Sequence, residues 1–257
     1  MANYIVGMSN EEYHSQSGIS SSAVKSVYKK TLAHWKGEKR TQTAAFTMGS
    51  AVHALLLEED RNLVKKGPKT KASAAFKAQK EELNEDEVLL TEVEYNVANR
   101  IAMGALDNPN CKSLLRHKER VNEVSIFQQD PISGLLLKTR PDLMILSEQT
   151  VYDVKTTQDA SPRGFSNECF KYSYHIQAAF YVYVCQLAGL DIKEFGFIAC
   201  EKTSPFISHL HIVGPDLLEI ATEQLHRTLG VIAEAEEQAE FGTGWGEYSI
   251  LERPKWL

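Results

Sequence analysis

The chain has 257 residues, 43% of them hydrophobic, enough apolar side chain to bury a sizeable core. Its formal net charge is −6, so contact with nucleic acid has to come from a local basic surface and not from overall charge. No apolar run approaches the roughly 18 residues of a membrane span, and the opening MANYIVGMSNEEYH lacks a basic region followed by an apolar one; no membrane is implied and a cytoplasmic location is expected. Cys111, Cys169, Cys185 and Cys200 form no C-x-x-C pair and read as buried thiols. A P-loop, a G-x-S-x-G elbow and an H-E-x-x-H pair are also missing from the sequence.

From Gly18, the run ISSSAVKSVYKK offers a serine cap followed by Ala23, Val24 and Val27 at helical spacing, which predicts a helix beginning near Ser20. Ser20, Ser21 and Ser22 either cap this helix or add hydroxyls to a phosphate site at its free N–H groups. Thr47 to Glu59 reads as a strongly apolar helix with His53 in its middle. That histidine is either a hydrogen-bonded core residue or a group delivered to a neighbouring site, and Gly49 one turn earlier lets the backbone approach a neighbour closely. Arg61 to Lys80 reads as a loop leading into a polar helix. Lys65, Lys66, Lys69 and Lys71 fall in this densest basic stretch, which is either a solvated face or a phosphate contact. Glu85 to Ala105 is expected to be an amphipathic helix ended near Gly104 and the Asn108-Pro109 break.

Val121 to Gln128 alternates, with Val121, Glu123, Ser125 and Phe127 on one face, and turn residues lead on to Leu135 to Thr139. Next, Leu143 to Leu146 and Thr150 to Val154 flank Ser147 and Glu148 as a hairpin would, so consecutive antiparallel strands are implied. If Ser147 and Glu148 form a two-residue loop, Leu146 faces Gln149 and Asp142 stands opposite Asp153. Directly opposed side chains have Cβ atoms about 4.5–5.5 Å apart and like charges there destabilise a sheet; a divalent cation would turn that cost into a binding site. Asp153 and Lys155 share one face while Val154 points the other way. Against this, Ser-Glu is not a favoured turn pair and Pro141 suggests an edge or a bulge, which leaves a solvated hairpin with scattered charges as the alternative. Asp191-Ile192-Lys193 repeats the acid-x-Lys spacing, but it follows Gly189 at a helix end and reads as a connecting turn. Pro162 to Lys171 reads as a short helix or lid. Tyr174 to Ala188 reads as a buried helix on which Gln177 and Tyr181 share a face. Strands at Glu194 to Glu201 and Phe206 to Val213 and a helix from Pro215 to about Glu240 complete the pattern.

The constellation resembles the PD-(D/E)XK nuclease superfamily, and within its RecB-like branch the RecE-type exonucleases. The matching pieces are Gly49 through His53, Arg140-Pro141-Asp142, Asp153-Val154-Lys155-Thr156-Thr157, and Gln177 with Tyr181 as a Q-x-x-x-Y helix. SNEEYH, GISSSAV, MGSAVHALLLEE, YSYHIQAAFY and LERPKW extend the likeness over nearly the whole chain. Glu123 stands where many relatives carry an acid on the first strand, placing it behind the site.

The resemblance implies an α/β (α+β) fold with a restriction-endonuclease-like core, in which a central mixed sheet with an antiparallel meander is flanked by helices. A single exonuclease domain over 1–257 is expected: an N-terminal helical part (1–46), a helical part with the basic loop (47–115), the catalytic sheet and helices (116–240) and a tail (241–257). His53, Asp142, Asp153 and the Val154 carbonyl would hold Mg²⁺, with Mn²⁺ as a substitute, and Lys155 would orient or deprotonate the attacking water. Gln177 and Tyr181 would hold substrate or buttress Lys155, and Arg140 could add a bidentate phosphate contact. The chain has no cysteine cluster for iron–sulfur binding. The implied activity is processive degradation of linear double-stranded DNA from 5′ ends, leaving 3′ overhangs for a single-strand annealing protein of the RecT type in phage recombination. The implied assembly is a homo-oligomeric ring, a tetramer in preference to a trimer. A structure- or site-specific endonuclease on the same fold, and a non-catalytic DNA-end-binding protein, are the alternatives.

Overall fold

The computed structural model describes residues 4–39, 43–58, 62–84 and 86–253. Helices α1 (Asn10–Ser15), α2 (Ser21–Lys29), α3 (Leu32–Gly37) and α4 (Ala44–Leu57) come first. They are followed by β1 (Val64–Lys66), α5 (Ala74–Glu81), β2 (Val88–Leu90), α6 (Glu92–Asp107) and α7 (Pro109–Leu115). The second half carries β3 (Arg120–Asn122), β4 (Ile126–Gln129), β5 (Leu136–Thr139), β6 (Leu143–Ile145), β7 (Thr150–Thr157), α8 (Pro162–Lys171), α9 (Tyr174–Leu187), β8 (Glu194–Glu201), β9 (Ser208–Ile212) and α10 (Pro215–Gln238).

The central sheet has the order β3-β6-β7-β8-β9, antiparallel everywhere except between β7 and β8. A parallel pair needs a crossover, which α8 and α9 supply. Side chains alternate through this sheet and divide the core into two layers. Met144, Val151, Phe195 and Phe197 face α2, α9 and α10, whereas Leu143, Ile145, Tyr152, Val154 and Ile198 face α4, α6 and α7. All four cysteines are buried free thiols. Among the described residues no helix is long and apolar enough to cross a membrane.

The hairpin keeps the register expected of it: Leu143 pairs with Tyr152, Met144 with Val151 and Ile145 with Thr150, which places Asp142 level with Asp153. The loop is not a two-residue turn. Leu146 to Glu148 form a 3-10 turn, and Gln149 takes a left-handed conformation (φ 61°) that turns the chain into β7. Asp191 and Lys193 pair with each other on an exposed connection between α9 and β8, at 3.2 Å.

Three expectations are corrected. Val121 to Gln128 is not one strand, because Glu123 sits at φ 49°, where Arg140 Nε holds its carbonyl. The chain is thereby diverted from β3, in the central sheet, to β4, which pairs with β5 in a separate two-stranded sheet. The helix expected from Glu85 begins only at Glu92: Val88–Leu90 pair in parallel with Val64–Lys66 in the basic stretch, and Thr91 then starts α6 with a capping box closed by Glu94. That helix ends at Asp107, at the expected Asn108-Pro109 break, but runs through Gly104, which is a site of close approach and not a stop; a Cβ there would lie 2.0 Å from the Phe206 carbonyl oxygen. Arg61, Glu85 and the end of the LERPKW motif lie outside the described residues.

Candidate active site

β7 is longer than its neighbour β6. From Asp153 to Thr157 it is paired only with β8, so the outward N–H and C=O of Val154 need partners from elsewhere. The N–H donates to Asp142 Oδ2 at 2.7 Å. The carbonyl oxygen lies 2.8 Å from His53 Nε2, and His53 Nδ1 is 3.4 Å from Asp142 Oδ2. The mismatch in strand length thus gathers a carboxylate and an imidazole around one peptide unit, with α4 bringing His53 across from the opposite layer.

On the other face of β7, Asp153 is 2% exposed. Its Oδ1 accepts from Gln177 Nε2 at 2.6 Å. Its Oδ2 has no hydrogen bond, although the Lys155 ammonium is pressed against it as an ion pair. Two further groups complete the cluster: Lys25 Nζ donates to Gln177 Oε1 at 2.9 Å, and the ring of Tyr174 lies 5.4 Å from Lys25 Nζ and 5.1 Å from Lys155 Nζ. Tyr181, one turn beyond Gln177 on α9, is buried, and both it and Ser21 line the adjoining cleft.

Charge is costly in this setting. Burial pushes the Asp142 carboxyl up to about 7, helped by the charge of Asp153 and opposed by His53, Lys155 and the Val154 amide. Burial also raises Glu123, against the pull of Arg140. Lys25 is lowered to about 8, first by burial and then by the charge of Lys155, with Asp153 opposing.

Two buried carboxylates, one of them, Asp153, with an oxygen that has no hydrogen bond, one imidazole and one backbone carbonyl are donors of the kind that Mg²⁺ or Mn²⁺ takes. Among the described residues no three His, Cys, Asp or Glu side chains are gathered closely enough to hold a metal alone. The donors that do meet are His53 and Asp142 at the Val154 peptide unit, one imidazole, one carboxylate and one backbone carbonyl, and their chemistry fits a hard divalent cation.

His53, Asp142, Val154, Lys155, Tyr174 and Tyr181 line a cleft of about 1320 Å³. Ser20, Ser21 and Ser22 line it too, because Ile19 is bonded to the backbone of Leu136 and Lys138 beside β5. Ser20 occupies the N-cap of α2 without making a side-chain capping bond. Glu123 and Arg140 are also at the cleft, but the guanidinium is bonded to the Glu123 carbonyl and carboxylate, the Met8 carbonyl and Asn10. Of the lysines singled out in the basic stretch, Lys71 lines the cleft and is paired with Glu94 at 2.6 Å. Lys65 and Lys66 are paired with Glu87 and Glu92 at 3.0 and 2.8 Å, and Lys69 is exposed outside the cleft.

Lys25 and Tyr174 are members of the cluster that the sequence did not single out. Tyr174 is three residues before Gln177 on the same helical face, a spacing that could have revealed it. Lys25 carries no such signal, since its place depends on how α2 packs against α9.

A family model described as "PDDEXK-like domain of unknown function (DUF3799)" matches residues 20–251. The chain belongs to this family. Pro141-Asp142 and Asp153-Val154-Lys155, the pieces on which the sequence resemblance rests, lie within the matched span. The crystal structure of a Eubacterium rectale protein described as a "putative exonuclease" is 15% identical, with a TM-score of 0.65 over 97% of this chain and 96% of that one, and so shares the PDDEXK-like fold. The crystal structure of SSO0001 is 11% identical over 70% of this chain and 84% of that one, with a TM-score of 0.31. No curated protein matches the sequence.

Proposed function

We propose that the chain is a metal-dependent exodeoxyribonuclease that degrades linear duplex DNA processively from 5′ ends and leaves 3′ overhangs. The observation that carries this reading is the meeting of Asp142, Asp153 and Lys155 with His53 and the Val154 carbonyl at the unpaired edge of β7, beside a cleft. The likeness to RecE-type exonucleases gives the polarity, and the exonuclease description of the Eubacterium rectale protein that shares the fold agrees with that class.

A bound Mg²⁺ or Mn²⁺ would supply Lewis-acid stabilisation of charge on the phosphodiester oxygens. The residues of the chain do the rest. Asp142 and Asp153 would hold the cation, with His53 and the Val154 carbonyl as further donors. Lys155 orients the attacking water from beside Asp153, while Gln177 keeps that carboxylate fixed. Hydroxyls of Ser20, Ser21 and Ser22 and the amides that begin α2 receive the terminal 5′ phosphate. A chain of net charge −6 retains DNA better by enclosure than by attraction, which favours a homo-oligomeric ring, a tetramer or a trimer. Its product, a 3′ single strand, is what an annealing protein of the RecT type takes up, and the reaction is placed in the cytoplasm.

The test compares end-labelled linear duplex with covalently closed circular duplex, in Mg²⁺ and in EDTA. Loss of the linear substrate from its 5′ ends, survival of the circle and complete block by EDTA are expected. Cutting of the closed circle would favour a structure- or site-specific endonuclease, and end binding without hydrolysis a non-catalytic protein.

A further inference from the structure

We infer that Lys25 is a positioning residue that locks the orientation of the Gln177 side-chain amide and, through it, the carboxylate of Asp153. The inference rests on the nuclease reading for its consequence but not for its geometry. An amide has two ends of nearly equal shape and opposite hydrogen-bonding character, and a carboxylate can be met only by the NH₂ end. Gln177 presents that end to Asp153 Oδ1 at 2.6 Å. Rotated by half a turn, it would set its own oxygen against the carboxylate. The Lys25 ammonium, which only donates, lies 2.9 Å from Oε1 at the far end and makes the rotated state unfavourable at both ends at once.

The surroundings favour this role over a direct one. Gln177 is 3% exposed, so water has little access to reorient it. The Lys25 ammonium is engaged by Gln177 Oε1 and the Tyr174 ring, so its influence passes through Gln177. The Tyr174 ring, which both ammonium groups approach, gives each a cation–π partner despite their mutual repulsion. A half-buried lysine whose ammonium lies beside a second one is costly to hold charged, which is consistent with the lowering of Lys25 to about 8. The lock also ties α2, which begins with the three serines, to the strand that carries Asp153 and Lys155.

Three substitutions separate the possibilities. Lys25→Met keeps the stem and removes the donor, Lys25→Arg restores a donor, and Gln177→Glu removes the NH₂ that Asp153 needs. The first readout requires no metal: NMR exchange of the Gln177 side-chain amide protons, expected to be slow in wild type and Lys25→Arg and fast in Lys25→Met. The second is Mn²⁺ affinity by calorimetry without DNA, expected to weaken about tenfold in Lys25→Met, to recover in Lys25→Arg, and to be no worse in Lys25→Met/Gln177→Glu than in Gln177→Glu alone. On DNA, Lys25→Met should lower kcat and leave KM nearly unchanged. Unchanged amide protection in folded Lys25→Met overturns the inference, as does a loss confined to KM or fully additive with Gln177→Glu. Lost protection in Lys25→Met, found together with a wild-type protein that binds no Mn²⁺ and cuts no DNA, would support the lock and overturn the nuclease reading.

Discussion

Asp142 Oδ2 accepts a 2.7 Å hydrogen bond from the Val154 amide, so this carboxylate serves the edge of β7 as well as any cation. The two services can be separated. Asp142→Asn keeps an acceptor for the amide and removes the charge, whereas Asp142→Ala leaves a buried N–H unpaired, at a cost of about 1–3 kcal/mol. Both variants should lose hydrolysis. In EDTA the Asn variant should melt at or above wild type, because a desolvated charge opposite Asp153 is gone, and the Ala variant should melt below the Asn variant. Equal melting of the two would show that the amide contact contributes nothing.

His53 lies between a core role and a ligand role, and its side chain is 27% exposed. That exposure favours the ligand role. His53→Ala should change stability by less than about 1 kcal/mol, since little packed apolar volume is removed, while Mn²⁺ affinity and activity fall by about 10- to 100-fold. A large drop in melting temperature with normal metal dependence of the surviving activity would return His53 to the core.

Two glycines on helices should behave in opposite ways. Gly104→Ala would drive a Cβ to 2.0 Å from the Phe206 carbonyl oxygen, and overpacking against backbone should cost about 1–3 kcal/mol. Gly49→Ala meets only Thr156 Oγ1 at 3.8 Å and should gain up to about 1 kcal/mol of helix propensity. Denaturant unfolding of both variants checks the pair. A Gly104→Ala protein as stable as wild type would contradict the close packing of α6 against Phe206.

If the start of α2 receives the 5′ phosphate, ends carrying that phosphate should be degraded faster than ends with a 5′ hydroxyl, and Ser20→Ala or Ser22→Ala should shrink the difference. Arg140→Ala should act mainly by releasing Glu123 and loosening the turn between β3 and β4, because its guanidinium is already bonded to Glu123, Met8 and Asn10. Light scattering should report a trimer or a tetramer. A monomer indifferent to the 5′ group would refute the ring and the pocket and leave the metal site untouched.

Much of the site was legible in the sequence because its central piece is local. Alternation along Thr150 to Thr157 and the short loop before it put Asp142 level with Asp153, and the structure keeps that register even though the loop is a 3-10 turn with Gln149 left-handed. The boundaries of α8 and β8 were also plain: Pro162 to Lys171 and Glu194 to Glu201 stand where the sequence reads a short helix or lid and a strand. What escaped depends on contacts between distant segments. Val88–Leu90 fit a helical pattern and became a strand only because Val64–Lys66 lie beside them. Glu123 looked like a strand residue until Arg140 bent the backbone there. Gly49 reads as a site of close approach, yet it meets only Thr156 at 3.8 Å, whereas Gly104 lies hard against the Phe206 backbone far away in the chain. Lys25 reaches Gln177 across the α2–α9 packing, which no pattern within either helix encodes.

The most direct test of the central claim is single-turnover cleavage of end-labelled linear duplex, in Mg²⁺, by wild type and by Asp153→Ala protein shown to be folded. Asp153 is buried, bonded to Gln177 and paired with Lys155, so its removal takes away a proposed metal donor and frees the ammonium together. The rate should fall by on the order of 10³-fold or more, with Mn²⁺ affinity falling alongside. Substantial Mg²⁺-dependent cleavage by the folded Asp153→Ala protein would contradict the assignment of this site.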